Sequence, residues 1–205
     1  MKGRSELIII VSILLTSAFL LQSCGRNKES MQTYVNNYLA IVKDLKNPIR
    51  VGFVDNVREA IIAYRKSGLT DIDNAERAKN LLLEGISLDS ISLQRVKTLK
   101  SPDPKTEEIT KNLMLGINSA LQGNSIFASN YSKAKDQNIE ERKGTILNVR
   151  PGMKYLAEGL NSVVTSMESL QVYIKDNNLQ GAEELTHLYT AFKYENDNIK
   201  GFLKN

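Results

Sequence analysis

Reactive side chains are scarce in this chain of 205 residues, which holds a single cysteine, Cys24, and a single histidine, His187. With one thiol no intramolecular disulfide can form, so Cys24 is either a free thiol or a site of modification. Zinc coordination, haem attachment and Cys–His nucleophilic chemistry each need more of these two residue types than the chain supplies. His187 sits between Thr186 and Leu188, off the apolar stripe Leu185, Leu188 and Phe192, which favours a surface position over the role of a base or ligand. Glu184 and His187 make one Glu-x-x-His, whereas a di-iron bundle site needs that motif from two helices. The expectation is a chain with no catalytic residues, no metal and no cofactor.

The remaining polar motifs have structural readings. Glu107-Glu108, Glu140-Glu141 and Glu183-Glu184 lie near helix starts or on polar faces, where solvation and the helix dipole account for them. Gly116 and Gly123 are not followed by the Lys of a phosphate loop. Asp71-Ile72-Asp73-Asn74 lacks the glycine and terminal glutamate of an EF-hand, so helix capping explains it better. Eight tyrosines are many for a chain without Trp, and the spacing puts most of them at core edges with their hydroxyls toward water. Asp89 falls where the Leu82, Ile86, Leu93 and Val96 face would otherwise continue, which makes it the best candidate for a buried polar group.

The position of Cys24 gives it its meaning. Lys2 and Arg4 precede a run from Leu7 to Leu21 that is apolar except for Ser12, Thr16 and Ser17, the layout of a secretory signal. That run is shorter than the roughly 20 residues a membrane-spanning helix needs. Leu21-Gln22-Ser23-Cys24 then closes it, and this tetrapeptide resembles the lipobox of bacterial lipoproteins, with Gln22 in place of the small residue often found there. The resemblance implies that residues 1–23 are removed as a signal peptide and that the Cys24 thiol carries diacylglycerol, the new amino group being open to acylation too. Two or three acyl chains hold a protein on a membrane where one holds it only marginally. The implied location is the cell envelope, on the outer side of the cytoplasmic membrane or at the outer membrane.

Removal of Lys2, Arg4 and Glu6 lowers the basic and acidic residues from 27 and 23 to 25 and 22, a formal charge of +3 without blocks of like charge. That balance excludes a nucleic-acid footprint. Residues 24–29 form the lipidated cysteine with a short polar tether, and residues 30–205 form one helical domain.

Apolar spacing predicts the elements that would carry any site. Met31, Val35, Tyr38, Val42 and Leu45 mark a first helix ending before Pro48, and Val54, Val57, Ile61 and Tyr64 continue the pattern to Ser67-Gly68. A third segment, from Thr70 or Asp71 to about Lys100, is apolar on more than one side, as a central helix would be. Ser101-Pro102-Asp103-Pro104 predicts a turn in which Asp103 caps a helix with Pro104 at its first position. Ile109, Leu113, Ile117 and Leu121 carry that helix on through Tyr131, Gly116 and Gly123 weakening it by about 1 kcal/mol each. Residues 136–150 read as a connection with a turn or two of helix. Leu156, Leu160, Val163, Met167, Leu170 and Ile174 define one closing helix, and Leu185, Leu188, Phe192, Ile199 and Phe202 the other, joined tightly at Asn177-Asn178.

The fold expected is an all-α antiparallel bundle of about four long helices plus shorter segments. The function expected is a non-enzymatic binding or scaffolding module, attached to the membrane through its N-terminal lipid and facing an envelope protein partner. The alternative is a small-ligand or sensor bundle with a pocket lined by Tyr and by Met114, Met153 and Met167; an enzyme working with carboxylates alone is a third reading.

Overall fold

The computed structural model describes residues 27–46, 72–134, 136–148 and 150–204. Six helices and no strand occur among them: α1 (27–46), α2 (Ile72–Lys97), α3 (Pro104–Ala134), α4 (Ile139–Leu147), α5 (Arg150–Asp176) and α6 (Ala182–Lys204). The all-α bundle expected from the apolar spacing is therefore present. The segment holding Val54, Val57, Ile61 and Tyr64, and the signal and lipobox residues, lie outside the described residues.

The stripes read from the sequence are the core. Val35, Tyr38, Val42 and Leu45 of α1 are buried, as are Ile109, Leu113 and Ile117 of α3 and the whole Leu156-to-Ile174 series of α5. Leu185, Leu188, Phe192 and Ile199 of α6 join them. Burying each such side chain stabilises the fold by about 1.5–3 kcal/mol relative to exposure.

The middle of the bundle is the antiparallel pair α3 and α5, and glycine sets how close they come. A β-carbon on Gly116 would stand 2.6 Å from Val163 Cγ2 and 2.8 Å from the Gly159 carbonyl oxygen. One turn pair further along, a β-carbon on Gly123 would stand 2.6 Å from Leu156 Cγ and 2.8 Å from the Gly152 oxygen. The seam continues at Ser166, whose hydroxyl donates to the Ile109 carbonyl at 2.8 Å. Glycines expected to weaken α3 are thus the contact surface on which it packs.

The helix expected to be central, α2, is not. It buries Leu82, Asp89, Leu93 and Val96, but Leu83, Leu88 and Ile91 are exposed, so its second apolar side faces outward among the described residues. The central place goes to α3 and α5, whose small residues permit backbone-to-backbone approach.

Local chemistry ends the helices. Asp103 Oδ1 accepts the Thr106 backbone N–H at 2.9 Å while Pro104 opens α3, as the Pro-Asp-Pro sequence predicts. Asn138 caps α4 by accepting from the Glu141 N–H, and α4 fills most of the connection that the sequence leaves nearly featureless. Arg142 is buried, its Nε donating to Ala134 O and its Nη2 to Gln137 O, so it ties off the end of α3. After α5, Asn178 takes φ 49°, and the N–H groups of Asn178 and Leu179 return to Lys175 O and Ile174 O. Gly181, at φ 103°, then starts α6 with its α-carbon against Leu39, where a β-carbon would meet Cδ1 at 2.8 Å.

Candidate functional site

Cys24, the one site residue the sequence nominates, lies outside the described residues. The chain just beyond it is described. Asn27, Lys28 and Glu29, expected from the sequence to belong to the tether, are already helical in α1. Residue 27 is three positions beyond Cys24, a span of at most about 10 Å even when fully extended.

Two tyrosines build α1 into the central pair. The Tyr34 hydroxyl donates to the Thr106 carbonyl at 3.0 Å and lies 2.9 Å from Thr110 Oγ1. The Tyr38 hydroxyl is 2.7 Å from Ser166 Oγ, which in turn bonds α3. Tyr34 packs edge-on against Tyr173, ring centres 6.5 Å apart, and Tyr173 donates to Asp103 Oδ2 at 2.6 Å. Burial, partly offset by these hydroxyl contacts, raises the Tyr34 and Tyr38 pKa values far above the phenol range, so both stay neutral donors. Partial burial works to raise the Asp103 pKa, but the bonds from Tyr173 and from the Thr106 N–H and hydroxyl outweigh it and hold the carboxyl below its ordinary value of 3.8. The expectation that tyrosine hydroxyls reach water is corrected for Tyr34 and Tyr38, whose side chains sit in a hydrogen-bonded core instead.

The Gln32 side chain accepts from the Gln180 N–H at 2.8 Å, which places the start of α1 beside the turn between α5 and α6. The turn between α2 and α3 is at the same end, since Tyr34 meets Thr106 there. Ion pairs between Lys43 and Glu184 and between Arg95 and Asp44 join α1 to α6 and α2. Both are solvent-exposed and contribute at most about 1 kcal/mol each.

Open grooves occur on the surface of the described residues. One, of about 420 Å³, runs between the end of α1 and the outer face of α6 and is lined by Lys46, His187, Thr190, Ala191, Tyr194 and Glu195. The spacing of 187, 190, 191 and 194 places these four on one helix face. His187 is exposed, as its place off the apolar stripe predicts. Another groove, of about 520 Å³, lies at the start of α5 against Arg150, Pro151, Lys154, Tyr155 and Glu158. Arg150 also donates to Leu203 O at 3.0 Å, which closes α5 onto the end of α6. Neither groove was evident from the sequence; the signal was the second, mixed face of each helix, beside the stripe that forms the core.

The other nominated groups have local tasks. Glu140 and Glu141 lie in the first turn of α4 and Glu183 and Glu184 in that of α6, with Glu184 paired to Lys43. Met167 is sealed in the core, and Met114 and Met153 pack against it. No group of three or more metal-ligating side chains occurs among the described residues, and no described helix is long and apolar enough to cross a membrane.

The fold and these surfaces define an all-α bundle whose first described helix, α1, packs one face against the central pair. No family model, curated protein or solved structure matches the chain.

Proposed function

We propose that the chain is a lipoprotein, lipidated at Cys24, whose bundle serves as a non-enzymatic binding or scaffolding module on the outer side of a membrane. The observation that carries this reading is the docking of α1: the helix, already formed three residues after Cys24, is fixed to α3 and α5 by Tyr34 and Tyr38. A lipid on Cys24 then holds a rigid body rather than a domain on a loose leash. Its reach puts the end carrying the α2–α3 and α5–α6 turns toward the bilayer, and the α3–α4–α5 end, with the groove at Arg150, Lys154 and Tyr155, outward toward a protein partner.

The groove at Lys46, His187 and Tyr194 favours a second reading, a small-ligand or sensor bundle. It combines apolar wall with convergent polar groups, the usual makeup of such sites.

The test is paired. Labelled palmitate should enter the wild-type protein and not Cys24→Ala. Crosslinkers placed at Lys154 should recover one reproducible envelope protein, while crosslinkers at Lys105, at the other end, recover lipid. Equal recovery from both ends would overturn the orientation, and unchanged labelling of Cys24→Ala would overturn the anchor.

A further inference from the structure

Asp89 of α2 and Asn124 of α3 are both fully buried, at 0% exposure, and they face each other across the contact between these helices. The Asn124 amide donates to Asp89 Oδ2 at 3.3 Å. That bond leaves Asp89 Oδ1 and Asn124 Oδ1 buried with no hydrogen-bond partner. Two orphaned acceptors on one bonded pair of side chains are a costly arrangement, because an unmade bond in the interior forfeits the solvation that water would give. A carboxylate has no hydrogen to offer the amide oxygen. A carboxylic acid has one.

We propose that Asp89 is held as a neutral carboxylic acid in a cyclic pair with the Asn124 carboxamide, so that the seam between α2 and α3 binds one proton and loosens when it is lost. The amide N–H donates to Asp89 Oδ2 and the proton on Asp89 Oδ1 donates to Asn124 Oδ1. All four polar atoms of the two planar groups are then used. In alkaline surroundings the proton passes to water, and the seam is left holding a desolvated charge against one long hydrogen bond.

Among the described residues no charged group bonds to Asp89. On α3 no charged residue lies between Lys111 and Lys133. On α2 the nearest are Glu84, which is exposed, and Arg95, which is bonded to Asp44, the charge through which α1 approaches α2. Arg142 of α4 is committed to Ala134 and Gln137. Burial accordingly pushes the Asp89 carboxyl up to about 7, the Asn124 bond only partly opposing it.

Linkage between proton binding and folding fixes the direction of the pH effect. The folded chain holds this proton between the ordinary value of 3.8 and about 7, where the unfolded chain has released it. Folding is therefore favoured at the acid end of that window, loses up to about tenfold in its equilibrium constant per pH unit across it, and levels off above. The device does not depend on Cys24 being lipidated.

The experiment compares full-length wild type with Asp89→Asn, which keeps the donor and acceptor layout but cannot titrate. Urea midpoints are read in detergent at pH 5, 6, 7 and 8. The variant's advantage over wild type should grow from pH 5 to pH 7 and change little from there to pH 8. Parallel curves, or a variant weaker at pH 8, overturn the proposal. Independently of how the variant folds, the Asp89 carboxyl ¹³C resonance of the wild type should titrate with a midpoint near 7; a midpoint near 4 overturns it.

Discussion

Gly116 and Gly159 approach so closely that a β-carbon on Gly159 would stand 2.7 Å from the Gly116 carbonyl oxygen. The obstacle is backbone, which cannot rotate away as a side chain can. The two central helices of the bundle are therefore matched at the level of their main chains, and the seam repeats at Gly123 and Gly152.

Gly159→Ala should destabilise the protein by about 2 kcal/mol or more, the usual cost of overpacking a tight core, although alanine favours helix by about 1 kcal/mol. Gly144→Ala in α4 is the control: nothing lies within 4 Å of its β-carbon, so it should leave stability unchanged or raise it slightly. Thermal unfolding followed by circular dichroism separates the two outcomes.

Tyr38→Phe removes the hydroxyl shared with Ser166 and should cost about 1–1.5 kcal/mol in urea unfolding. Tyr194→Phe, at a side chain 65% exposed, should be neutral. Since Tyr38 joins α1 to α5, Tyr38→Phe should also speed amide exchange in α1 more than in α3.

Asp103→Ala removes the cap of α3 and the acceptor of Tyr173, and should cost about 1 kcal/mol or more near neutral pH. The folded carboxyl titrates below its ordinary value, so its contribution is fully present above about 4 and is lost as pH falls through the folded pKa. The stability difference between wild type and Asp103→Ala should therefore shrink as pH falls below the ordinary carboxylate value of 3.8, measured by urea titration.

The helical stripes were legible because burial follows the 3.6-residue period: Leu156 to Ile174 could be read directly. The Asp103 cap was legible for a related reason, since its whole mechanism lies within three residues. The glycine seam was not. Gly116 and Gly123 repeat at seven, as do Gly152 and Gly159, but the benefit of a missing side chain exists only once the two helices meet. Arg142 was missed likewise, its charge being spent on carbonyls at the end of a neighbouring helix. Asp89 was recognised by its place on an apolar face, while Asn124, its partner, gave no such sign because α3 is polar and apolar by turns around it. The exposed face of α2 misled for the opposite reason: Leu83, Leu88 and Ile91 satisfy a burial pattern without being buried.

The central claim is that a lipid on Cys24 holds this bundle at a membrane. The most direct measurement is mass spectrometry of the N-terminal peptide of the protein extracted from membranes. The peptide should begin at Cys24 and carry the added mass of diacylglycerol, with or without a further acyl chain. A peptide beginning at any other residue, or at Cys24 with an unmodified thiol, would contradict the claim.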